Sequence, residues 1–128
     1  MDMQITFPGG VAVNAQYGGY TVATDQPPPL GAGTAPSPFA LFLASLGTCA
    51  GFFALRFCQE REIDAADLRL GLTFERDPQS KRIGRIQIHV EPPTGFPEKY
   101  RAALARAIDQ CTVKRHIVEP PEFEVVIH

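Results

Sequence analysis

Three cysteines, Cys49, Cys58 and Cys111, are the side chains in this sequence best suited to chemistry. A thiol is a nucleophile only as its thiolate, and at an ordinary pKa of about 8.5 it is mostly protonated near neutrality, so a reactive cysteine needs a neighbouring donor or cation. Cys58 follows Cys49 by nine positions. On one helix, at about 100° per residue, that spacing sets the two side chains on opposite faces, where they cannot pair. Cys49 sits in the small-residue stretch Gly47-Thr48-Cys49-Ala50-Gly51, which would let another backbone or a ligand approach its sulfur. Cys111 ends the other substantial apolar helical face. If the two helices pack across a core, Cys49 and Cys111 can meet and Cys58 is left over. The bland reading of each is a small buried hydrophobe, and for Cys58, which has no partner or motif, it is the default.

Other chemistries find little support. His89 is expected to face solvent on a strand, and His128 is the last residue. His116 with Cys49 and Cys111 lacks a fourth ligand, and there is no Cys-x-x-Cys or His-x-x-x-His spacing, so no metal is expected. There is no Gly-x-Ser-x-Gly elbow, phosphate loop or dinucleotide fingerprint, so no cofactor is expected either. The net charge of −2, with scattered Lys and Arg, leaves no basic footprint for nucleic acid. Met1-Asp2-Met3-Gln4 lacks the basic, then apolar, start of a secretory signal, which points to a cytoplasmic protein in which three cysteines serve chemistry or packing and not stapling.

The elements that must position the thiols fit one domain over residues 1–128. Short strands are expected near Met3–Phe7, Gly10–Tyr17 and Tyr20–Asp25, with Gly9-Gly10 and Gly18-Gly19 marking the turns of a meander. The loop from Gln26 through Pro27, Pro28 and Pro29 to Ala35 suits neither helix nor central strand. Ser37-Pro38 then reads as the N-cap and first residue of a helix. Phe39–Phe57 is almost wholly apolar and about long enough to cross a bilayer. Ser45, Gly47, Thr48 and Gly51 interrupt it, Arg56 lies near its end, and its neighbours alternate like strands of a water-soluble sheet. The preferred reading is a central helix buried on all sides, with no membrane partner.

Beyond Glu62 the period changes to two. Leu68, Leu70, Leu72 and Phe74, then Ile86, Ile88 and Val90, alternate with polar residues as half-buried strands joined through Arg76–Arg82. From Pro97 a second helix sets Tyr100, Ala103, Leu104, Ala107, Ile108 and Cys111 at spacings of three and four. After Pro120 and Pro121, a last strand is expected to turn Phe123, Val125 and Ile127 inward. The fold class is α+β.

Two segments carry a likeness to a known family. Pro36-Ser37-Pro38 followed by Leu41-Phe42-Leu43-Ala44-Ser45-Leu46-Gly47-Thr48-Cys49 resembles the first cysteine helix of the OsmC/Ohr family, and Cys111-Thr112-Val113-Lys114-Arg115-His116-Ile117 resembles its second cysteine segment. Asp25-Gln26-Pro27-Pro28-Pro29 and the order of elements match as well, so the resemblance spans nearly the whole chain. It implies antiparallel sheets wrapped around a buried cysteine-bearing helix in an intertwined, swapped homodimer, with the thiols near the interface. It also implies a cofactor-free two-cysteine thiol peroxidase: Cys49 attacks an organic hydroperoxide or another electrophile, Cys111 resolves the sulfenic acid to a disulfide, and a thiol reductant regenerates the pair.

The sequence departs from that family in one respect. Members that reduce organic hydroperoxides usually set an arginine from the N-terminal strands, held by a glutamate at the start of the cysteine helix, beside the reactive sulfur. Here no arginine precedes Arg56, and Phe39 and Ala40 occupy the first turn. Lys114, Arg115, His116 or Arg56 are the available substitutes. The departure suggests a divergent branch, and it leaves open a second function class: a non-catalytic binding or redox-sensing protein that holds a small hydrophobic ligand near Phe52, Phe53 and Cys49.

Overall fold

The computed structural model describes residues 2–128. Three strands, β1 (Gln4–Gly9), β2 (Ala12–Tyr17) and β3 (Tyr20–Thr24), precede one long helix, α1 (Pro38–Glu60). A second strand pair, β4 (Arg69–Arg76) and β5 (Ile83–Glu91), leads to two short helices, α2 (Arg101–Ile108) and α3 (Thr112–Val118). The chain divides into two compact units, the first ending at Ala44 and the second running from Ser45 to His128. The result is an α+β fold with two antiparallel sheets and a helix central in the chain order.

In the first unit, β1, β2 and β3 form a meander in which β2 is central and Tyr17 pairs with Tyr20 across the second turn. That two-residue turn needs positive φ at both positions, and Gly18 and Gly19 supply it at +54° and +82°. The proline-rich loop is folded on Asp25, which is only 3% exposed. Its carboxylate accepts from the N–H of Gln26 (2.8 Å), the N–H of Thr34 (3.1 Å) and the Thr34 hydroxyl (2.7 Å). Gly31 is indispensable to this clasp, since a Cβ there would meet the Gln26 carbonyl oxygen at 2.3 Å and Asp25 Oδ1 at 2.7 Å. The predicted cap of α1 forms as expected, with the Ala40 N–H donating to Ser37 Oγ at 3.1 Å.

In the second unit, β4 and β5 pair from Arg69–Glu91 to Arg76–Ile83. The turn is tied by Asp77, whose carboxylate accepts from the N–H groups of Gln79 and Ser80 at 2.9 and 2.7 Å. Ala50, Ala54 and Phe57 of α1 pack with Leu104 and Ile108 of α2, and Leu68, Leu70, Ile88 and Val90 close around them. The buried residues of α1, Leu46, Ala50, Ala54, Phe57 and Cys58, recur at the three-and-four spacing of one helical face.

Three expectations change. The part of α1 in the second unit is not covered on all sides there: its other face leaves Phe52 56% and Leu55 40% exposed, because α2 and the β4–β5 hairpin reach only one stripe. The stretch expected as one helix from Pro97 to Cys111 is a single 3-10 turn at Glu98–Tyr100 and then α2, which stops at Ile108; α3 starts anew at Thr112. The last strand does not form. Phe123 and Ile127, expected to turn inward, are 89% and 91% exposed, and their segment joins neither sheet.

Candidate functional site

Cys49 is carried mid-way along α1, one residue before the buried Ala50. The small residues around it serve different ends. Gly47 admits β4, since a Cβ there would lie 3.2 Å from Leu72 Cδ1, whereas nothing stands within 4 Å of a Cβ at Gly51.

Cys111 owes its position to the break between α2 and α3. The polar pair Asp109-Gln110 ends α2, and the N–H groups of Asp109, Gln110 and Cys111 each return to a carbonyl of its last turn at 3.1 Å. Cys111 then leaves helical geometry (φ −45°, ψ 115°) and becomes the N-cap of α3, with its Sγ accepting from the Lys114 N–H at 3.5 Å. Side-chain oxygen is the usual cap, and sulfur takes that role here.

The two thiols meet. The Cys111 thiol and the backbone N–H groups of Val113 and Thr112 lie near enough to the Cys49 sulfur to favour its thiolate. Burial alone would push the Cys49 thiol up, but these donors together outweigh it, and its pKa lies below the ordinary value. Cys111 goes the other way: burial raises it, the neighbouring Cys49 sulfur raises it further, and the Lys114 and Val113 N–H groups only partly offset this. When the pair loses a proton, the charge is therefore favoured on Cys49 over Cys111. No disulfide links them. Cys58 is outside the arrangement, fully buried with its thiol pushed up by burial, against which Arg61 acts only partly.

None of the four proposed substitute cations contributes to the lowered Cys49 pKa. Lys114 Nζ is paired with Asp109 Oδ1, His116 Nδ1 is bonded to the Thr112 carbonyl oxygen at 2.7 Å, and Arg56 is held by Gln59 and Glu60 at 3.0 and 3.2 Å. The donors that do act are main-chain groups of Thr112 and Val113, which no side-chain inventory reveals. The available sign was the run Asp109-Gln110, which interrupts the apolar periodicity just before Cys111.

A cavity of about 440 Å³ lies beside Cys111, walled by Leu46, Ile86, Ile88, Val90, Ile108 and Ile117, with Asp109 and Lys114 among its few polar residues. Its size and lining suit a small apolar molecule. Phe52 and Phe53, expected beside Cys49 in a ligand pocket, line instead a separate groove with Arg56, Arg61 and Arg106, which does not include Cys49.

Residues 31–126 match the family described as OsmC-like protein. No curated protein matches the chain. Among solved structures, a candidate osmotic stress induced and detoxification response protein from Psychrobacter arcticus superposes with a TM-score of 0.72 at 22% identity, over 88% of this chain and 85% of that one. An OsmC-like protein from Mycoplasma pneumoniae gives 0.71 at 17% identity, over 93% and 87%. An organic hydroperoxide resistance protein from Legionella pneumophila gives 0.58 at 20% identity, over 91% and 89%. At these identities the structures share a fold with this chain.

Proposed function

Because the chain belongs to the OsmC-like family, we propose that it is a thiol-dependent peroxidase with Cys49 as nucleophile and Cys111 as resolving residue. The observation that carries the reading is the asymmetry of the pair: the Cys49 sulfur collects three donors and titrates low, while Cys111 beside it titrates high. The Cys49 thiolate attacks the terminal oxygen of a hydroperoxide, the O–O bond breaks, and the alcohol leaves after taking a proton. Cys49 is then a sulfenic acid. The Cys111 sulfur attacks it, water departs, and a disulfide remains. A dithiol reductant returns both thiols, its own sulfurs being oxidised to a disulfide.

Backbone donors take the place of the arginine and glutamate found in other members. They favour the thiolate without the full charge of a guanidinium. The substrate class proposed is a hydroperoxide with an apolar body, in keeping with the cavity beside Cys111.

The protein is further proposed to act as one domain in a cytoplasmic homodimer. Support for the dimer is the exposed apolar surface left on α1 and the unpaired Phe123–Ile127 segment, which a second copy can cover.

The test is steady-state peroxide consumption with dithiothreitol as reductant. The parent turns over and Cys49→Ser does not; equal rates in the two remove the proposal. Thiol titration after one equivalent of cumene hydroperoxide separates this from the binding-protein reading, which the apolar cavity favours. Rapid loss of two thiols per chain supports the peroxidase, and inert thiols support binding.

A further inference from the structure

The N-terminal backbone of α3 is set against sulfur. The Lys114 N–H donates to Cys111 Sγ at 3.5 Å, and the N–H groups of Thr112 and Val113 lie near enough to the Cys49 sulfur to favour its thiolate. These amides have no partner inside a helix and must find one outside it. α3 has little else to hold it: it spans seven residues and buries none of them. A helix that short does not persist on its own in water.

We propose that oxidation of Cys49 and Cys111 to a disulfide uncaps α3 and loosens the wall of the cavity beside it. The inference rests on the pairing of the two cysteines proposed above. In the oxidising step two thiols give up two protons and two electrons, an S–S bond forms, and a hydroperoxide is reduced to alcohol and water. The Cys49 sulfur can no longer become a thiolate, so the Thr112 and Val113 N–H groups lose the anionic acceptor that they favour. Cys111 Sγ must turn from the Lys114 N–H toward Cys49. The new bond tethers Cys111, which precedes the helix, and restrains nothing beyond it. Lys114 and Ile117 of α3 are part of the cavity wall, so the change in the cap is felt where a substrate or reductant would lie.

The experiment compares amide hydrogen exchange in the full-length protein, fully reduced and after oxidation with diamide, which forms disulfides without a peroxide. The Cys49–Cys111 link is verified by peptide mapping. Expected is exchange about tenfold faster across Thr112–Val118 in the oxidised form, with β4 and β5 unchanged. Cys111→Ser keeps an oxygen cap and cannot form the link, so diamide leaves its α3 exchange as it was. Exchange that is equal or slower on oxidation, or an equal acceleration in Cys111→Ser, overturns the inference. Failure of diamide to form the link sinks this proposal and the peroxidase reading together. A loosened α3 without peroxide turnover removes only the peroxidase, and turnover with an unchanged α3 removes only the switch.

Discussion

The Cys111 thiol lies beside the Cys49 sulfur, and the neighbourhood lowers the pKa of Cys49 while it raises that of Cys111. What makes the division one-sided is the chain direction after Cys111. Thr112 and Val113 present their N–H groups to Cys49, while Cys111 receives chiefly the N–H of Lys114. Main-chain geometry thus does here what a cation does in other thiol enzymes.

Removing Cys111 should therefore shift the titration of Cys49. Cys111→Ala is expected to raise the pH at which Cys49 becomes alkylated by iodoacetamide, since one donor to its thiolate is gone. Cys111→Ser retains a hydroxyl donor and should leave the profile close to the parent's. Mass spectrometry of the labelled peptides reads each thiol separately, with Cys58 labelled slowest in every variant because it is fully buried and its thiol is pushed up. An unshifted profile in Cys111→Ala would mean that its thiol gives Cys49 nothing.

How much of this was legible in the sequence depends on whether a side chain or the backbone carries the information. Gly18-Gly19 announces its turn because few other residues tolerate the positive φ that the turn needs, and Ser37-Pro38 announces the start of α1 because one supplies the cap and the other the φ. That Cys49 and Cys111 could meet was legible from helix faces on the condition that the two helices pack together. The lowered pKa of Cys49 was not, since Thr112 and Val113 act through their N–H groups and any non-proline residue has one. The extra break at Asp109-Gln110 was missed because Cys111 continues the apolar face by spacing even though the helix has ended. The strand expected at Phe123–Ile127 has the right alternation yet joins neither sheet, and whether an alternating segment finds a partner strand is information outside the segment itself.

The Asp25 clasp predicts an acid-sensitive loop. The Thr34 hydroxyl, the Thr34 N–H and the Gln26 N–H hold this carboxyl below its ordinary 3.8, and Asp67 and Asp77 are lowered too, by Thr94 and by the Ser80 and Gln79 N–H groups. A carboxyl depressed in the folded state is protonated more readily when unfolded. Its contribution to stability is complete above the unfolded value near 3.8 and is lost as the pH falls through the folded value. Urea midpoints measured from about pH 7 down to pH 2 should be flat at first and then fall. Asp25→Asn should lower the midpoint at neutral pH and flatten the acid decline; a parent-like decline in that variant would exclude Asp25 as its source.

Gly31→Ala tests the same loop by crowding it. The added Cβ would stand 2.3 Å from a main-chain oxygen, and the backbone has to shift to relieve it. A loss of about 1–3 kcal/mol by urea denaturation is expected, with Cys49 alkylation unchanged because the clasp and the thiols share no residue. Parent-like stability would show that the loop yields freely.

Leu104→Ala probes the core of the second unit, where Leu104 is 3% exposed and packs with Ala50, Ala54, Phe57 and Ile108. Two of its three α1 neighbours, Ala50 and Ala54, have no longer side chain to swing into the gap. The expected cost is about 2–5 kcal/mol.

The proposed dimer is open to a direct measurement. Phe52 is 56% exposed on the side of α1 that one chain leaves bare, and Phe123, Val125 and Ile127 lie outside every sheet. Burying a phenylalanine is worth about 1.5–3 kcal/mol, so a second copy that covers these residues gains substantially, and a charge at the same place opposes it. The parent chain should sediment at twice its mass of 14.0 kDa. Phe52→Glu should shift that equilibrium toward the single chain, and so should a truncation after Glu119. If the parent sediments as one chain, or both variants stay paired as tightly as it does, these surfaces do not hold two copies together.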